Sequence, residues 1–77
     1  MKVEFSFKDK HGTIKMENNK ELNLNSEHLL ALLNSNQVTY PYKMGDSLSV
    51  KKAEIENIEF DMYRETDIKL RVELIEK

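Results

Sequence analysis

Two segments in the C-terminal third constrain the fold more than anything else in the chain. "NIEFDMY" (57–63) and "DIKLRVEL" (67–74) each alternate apolar with polar residues, the period-2 signature of a strand with one face buried. Pairing Met62 with Ile68 sets Phe60 opposite Leu70 and Ile58 opposite Val72 on one face. The same register sets Asp61 opposite Lys69 and Glu59 opposite Arg71 on the other. Opposite-charge pairs of this kind contribute roughly 0.2–1 kcal/mol each. Their appearance in a register chosen only by apolar matching supports an antiparallel hairpin.

A second alternating run opens the chain. "KVEFSFK" (2–8) places Val3, Phe5 and Phe7 on one side, and "TIKMEN" (13–18) follows after "DKHG". A loop of Asp9–Gly12 sets Lys8 opposite Thr13, Phe7 opposite Ile14 and Phe5 opposite Met16, collecting four apolar side chains on one face. Gly12 closes the loop where a left-handed backbone is expected, a conformation that costs glycine little. "NNKELNLN" (18–25) reads as a polar connection anchored by Leu22 and Leu24.

"SEHLLALLNSN" (26–36) predicts a helix of two to three turns. Ser26 is the expected N-cap, since its hydroxyl can accept from an amide of the first turn. Glu27 suits the positive end of the helix dipole, and Asn34 and Asn36 suit a left-handed stop. Leu29, Leu30 and Leu33 make one stripe, widened by Ala31 and Leu32 beyond the usual apolar face. A helix this short does not persist alone in water, so it must lie on a sheet, with apolar area left over.

"QVTYPYK" (37–43) and "SLSVKK" (47–52) predict a second hairpin. A turn with Gly45 at its first central position pairs Met44 with Ser47 and Tyr42 with Ser49. A Met44–Asp46 loop pairs Tyr42 with Leu48 and Tyr40 with Val50; it keeps the apolar residues together and is the preferred register. Pro41 lacks an amide hydrogen and belongs at a sheet edge or a bulge. "KKAEIE" (51–56) then connects two strands, tucking in Ala53 and Ile55. The order is β-β-α-β-β-β: a mostly antiparallel five- or six-stranded sheet with one short helix on one face. A half-open small β-barrel with a helix is the alternative for this α+β chain.

Seventy-seven residues make one domain, 1–77, with a small core. The absence of cysteine excludes disulfides and thiolate metal sites and fits a reducing compartment. With no signal peptide before the first strand and "LLALL" as the longest apolar run, a cytoplasmic protein without a membrane span is expected. The net charge of −2 argues against a generally basic nucleic-acid binder. It divides as +2 over residues 1–52 and −4 over 53–77. Ten lysines against two arginines, with much Asn and Ile, suit an AT-rich bacterial or phage genome.

No residue set suggests catalysis, a cofactor or a metal. His11 at a loop tip and His28 in a first helical turn read as surface or partly buried residues. The leading expectation is a non-catalytic protein-interaction module, an accessory or inhibitory protein that uses its surplus leucine surface to dimerise or dock a partner protein. The candidate contacts are Leu29, Leu32 and Leu33, the edge residues Tyr40, Pro41 and Tyr42, and Glu54 and Glu56. These two acids, with Glu65, belong to an acidic segment able to imitate a nucleic-acid backbone but are left unpaired by the hairpin register. The alternative is nucleic-acid binding through Tyr40, Tyr42, Lys43, Lys51 and Lys52, since aromatic rings beside lysines hold single strands. No small-molecule substrate is implied.

Overall fold

The computed structural model describes the backbone of residues 1–77 and every side chain except those of Tyr42, Lys43, Met44 and Leu48. Strand β1 (Lys2–Lys8) leads through one turn of 3-10 helix (Met16–Asn18) to β2 (Lys20–Asn23). Helix α1 (Ser26–Leu33) follows, and β3 (Gln37–Met44), β4 (Ser47–Asp61) and β5 (Lys69–Glu76) complete the chain. The strands form one sheet in the order β2-β1-β5-β4-β3. Neighbours are antiparallel except β1 and β5, which run parallel at the centre. The protein is a small α+β domain, a mixed sheet curled into a half-barrel with one short helix.

The C-terminal hairpin has the register that its apolar alternation predicts, with Phe60 opposite Leu70 and Ile58 opposite Val72. Across the concave face, Leu22, Val3, Leu70 and Phe60 form one row, and Lys20, Phe5, Val72 and Ile58 the next. Phe7, Leu74 and Ile55 form a third. The central members of these rows are the core, joined by Ala53 and Tyr40. Curvature comes from β4, whose first half pairs with β3 and whose second half pairs with β5, with a bulge between Ile55 and Asn57. A bulge bends its strand and increases the local twist. The result brings the Phe7 and Tyr40 rings to 4.6 Å, although two strands separate β1 from β3 in the sheet.

Several local expectations are corrected. The partner of β1 is Lys20–Asn23, not residues 13–18. After the Asp9–Gly12 turn, Ile14 meets Lys8 instead of Phe7, and a one-residue slip turns a side chain to the opposite face. Ile14 and Met16 are accordingly exposed. The slip is held by the Asp9 carboxylate, which accepts from the amides of His11 and Thr13, each at 2.9 Å. Residues 51–56 are no connector but the middle of the fifteen-residue β4.

The β3–β4 hairpin takes the two-residue turn, Met44 opposite Ser47 and Tyr42 opposite Ser49. Gly45 sits there at φ 61°, which matches a primed turn whose twist suits the flanking strands. This geometry prevails because apolar sorting is weak on the hairpin: Tyr40 is buried, but Val50 is exposed.

Asn25, not Ser26, caps α1; its backbone is extended and its Oδ1 accepts from the amide of His28 at 2.8 Å. Ser26 is already helical. Asn34 ends the helix in the right-handed region, its amide donating to the Leu30 carbonyl at 3.1 Å, so no left-handed cap is needed. The helix joins β2 to β3, the two edges of the sheet. That connection carries it over the open mouth of the half-barrel, where Leu29 and Leu32, with Leu24, pack on the core.

Candidate functional site

The site follows from where β3 stops. β3 pairs with Ser47–Glu54 of β4 only, so the second half of β4, paired with β5, has no strand on its other side. The concave face is therefore open at that end. The uncovered end is the row that holds Leu22 and Phe60, together with the hairpin loop beyond it. Val3 and Leu70 in the middle of that row are buried, but Phe60 is 50% and Leu22 47% exposed. Met62 at 67%, Tyr63 at 88%, Ile58 and Ile68 extend the apolar surface around the hairpin end. On α1, Leu30 and Leu33 are exposed, on the flank of the helix next to Leu29 and Leu32.

The convex face has a different character. Its charged residues answer one another across strands. Lys69 meets Glu4 at 2.9 Å, Arg71 meets Asp61 at 3.2 Å, and Lys2 meets Asp67 at 3.0 Å. Lys8 meets Glu56 at 2.9 Å and Lys77 meets Glu54 at 3.3 Å. The expected pairing of Asp61 with Lys69 and Glu59 with Arg71 holds for the backbone register but not for the ions. The parallel neighbour β1 presents Glu4 to Lys69, and Arg71 reaches diagonally to Asp61. The hydrogen bond from Lys2 holds the Asp67 carboxyl below the usual aspartate range, and Asp67 in turn raises Lys2. Glu56 raises Lys8, and Glu4 raises Lys69, each through a side-chain hydrogen bond.

The residues singled out in the sequence do not share one place. Leu29 and Leu32 turn inward, and only Leu33 of the three leucines lies substantially outside. Tyr40 is in the core against Phe7. Pro41 is exposed on β3, an edge strand, where a residue without an amide is tolerated. Glu54 and Glu56, expected to be unpaired, carry the ion pairs with Lys77 and Lys8. Of the alternative set, Lys51 is bound to Glu76 at 2.9 Å and Lys52 lies exposed on the other face. Tyr42 and Lys43 fall outside the described side chains. The exposed group Ile58, Phe60, Met62 and Ile68 reads as core in the sequence. What separates it from true core is that β3 flanks only the first half of β4 and that Met62 and Ile68 lie beyond the paired strands, and neither is marked in the sequence.

Among the described residues, no three of His, Asp and Glu are grouped to hold a metal, and no helix is long and apolar enough to cross a membrane. No protein-family model, curated protein or solved structure matches the chain.

Proposed function

We propose that this protein is a small non-catalytic interaction module that acts by binding a partner protein. One observation carries the reading: the concave face is packed at its centre, yet ends in a cluster of exposed apolar side chains at the half of β4 that β3 does not flank. Contiguous exposed apolar surface of this kind commonly marks a protein contact. Phe60, Met62 and Tyr63 are suitable anchors, since aromatic residues and methionine are enriched at interfaces. The paired charges of the convex face offer little net field, which weighs against recognition led by charge.

The test is affinity capture from the source cell with wild type and with Met62→Glu, alongside sedimentation of both. Met62 is exposed enough for the variant to keep its fold, which circular dichroism checks. The expected result is a partner, or a self-associated species, present with wild type and lost with the variant. Identical captured sets together with two monomers would overturn the proposal.

A further inference from the structure

The two edges of the half-barrel carry a second feature. Neither β2 nor β3 has a neighbour on its outer side, and the curl of the sheet turns these edges toward each other. Between them lies a slot of about 140 Å³. Phe5 and Phe7 form its floor, Leu22 stands on the β2 side, and Val38 and Pro41 stand on the β3 side. Lys20 is at its rim. No residue of α1 lines it, so the helix leaves it open. An apolar cavity of about 150 Å³ accommodates a benzene ring, so the slot has room for one ring or one branched aliphatic side chain.

We infer that this slot receives an extended peptide segment of a partner protein, which adds a strand to β2 and seats one bulky apolar side chain between the two edges. The inference rests on the reading of the protein as a binding module, but uses a surface that meets the hairpin end only at Leu22. The choice of β2 over β3 follows from Pro41, which removes a donor from the middle of the β3 edge. All four residues of β2 are exposed. In strand addition, main-chain hydrogen bonds give affinity and pockets for alternate side chains give selectivity.

The charges on β2 specify the rest of the segment. Residues directly opposite on paired strands share a face, so partners of Leu22 and Lys20 both point to the slot side. Lys20 has no ion pair among the described residues, which calls for an acid opposite it. Glu21 lies between them on the other face, half exposed and 3.7 Å from Lys2, which sits closer to Asp67 at 3.0 Å; its charge is only partly answered, which calls for a basic residue there. Antiparallel pairing is slightly the more stable. It places the apolar residue first, so the segment reads apolar, basic, acidic.

The test is a titration of ¹⁵N-labelled protein with the peptide Thr-Val-Phe-Lys-Asp-Val-Thr. The expected result is saturable shifts of the amides of residues 20–23, with affinity at least tenfold weaker when serine replaces the peptide's phenylalanine. Lys20→Glu, at an exposed position, should weaken the same peptide about tenfold and favour one with lysine in place of aspartate. Met62→Glu should leave the titration unchanged, which separates this surface from the hairpin end. Unmoved amides at residues 20–23, indifference to Lys20→Glu, or loss of binding in Met62→Glu would each overturn the inference.

Discussion

Leu74 and Phe60 lie on the same concave face of neighbouring strands, and alternation alone gives them equal standing. The structure separates them, and the separation has a measurable size. Leu74 is 0% exposed, between Phe7 and Ile55 in its row. Leu74→Ala therefore loses full transfer free energy and leaves a cavity, a change of about 3–5 kcal/mol. Phe60 already has half its surface in water. Phe60→Ala should cost about half the 3–5 kcal/mol of a fully buried phenylalanine, roughly 2 kcal/mol. A chain of this length has about 4–12 kcal/mol in total, so Leu74→Ala removes a large fraction and Phe60→Ala a modest one. In urea titrations followed by circular dichroism, Leu74→Ala should shift the midpoint about twice as far, with similar slopes. In thermal melts each kcal/mol is worth about 4–8 °C. The comparison belongs at low protein concentration, because a partner copy seated on Phe60 would raise its apparent cost as concentration increases. Equal losses at low concentration would refute the uncovered end of the face, and with it the surface on which the proposed function rests.

Two further outcomes follow from local geometry. Asn25→Ala should destabilise by about 1 kcal/mol because it removes the acceptor for the His28 amide, while Ser26→Ala should be nearly silent; urea midpoints distinguish them, and the reverse order would restore Ser26 as the cap. The ion pairs of the convex face set two pH limits. The Asp67 carboxyl lies below its ordinary 3.8 because of the hydrogen bond from Lys2. Its contribution is present above that value and fades as pH falls through the lower, folded-state value. Lys2, Lys8 and Lys69 are raised above their ordinary 10.5 by Asp67, Glu56 and Glu4 respectively. Their contribution is full below 10.5 and fades as pH climbs through the higher, folded-state values. Melting temperature against pH should thus show a plateau with loss at both ends. Asp67→Asn should flatten part of the acid limb, and an unchanged limb would assign that loss to other groups.

The parts of the fold that the sequence discloses are those whose constraints are local. The β4–β5 register is legible because two strict alternations face each other across one short loop. The helix is legible from its leucines, and the order of elements from turn residues. What escapes is set by distant pairing. Nothing near Val3 or Phe5 announces that β1 runs parallel to β5, and the apolar residues Ile14 and Met16 offer β1 a closer partner. The Asp9 carboxylate decides against that partner by fixing the turn one residue out of step. Likewise Leu29, Leu30, Leu32 and Leu33 are equivalent in composition, and only the placement of α1 across the mouth sorts them into inner and outer pairs. Tyr40 as an inward-facing residue is legible from the alternation of its hairpin, but its contact with Phe7 depends on the curl and on a bulge with no signature in "AEIENI".

Where the proposed binding surfaces lie then follows from connectivity. A chain that ends its first hairpin on one edge of a curled sheet and resumes on the other must cross the mouth once. An eight-residue helix is what this chain spends on that crossing. The crossing dries the middle of the concave face and leaves two regions wet and apolar: the hairpin end below it and the slot between the edges beside it. The acidic segment contributes little by contrast. Glu54, Glu56, Asp61 and Asp67 are each answered by a cation from another strand or from a terminal segment, and exposed pairs of that kind are worth little individually. On the proposed reading recognition falls to the concave side, where the exposed surface is apolar and Lys20 has no ion pair among the described residues.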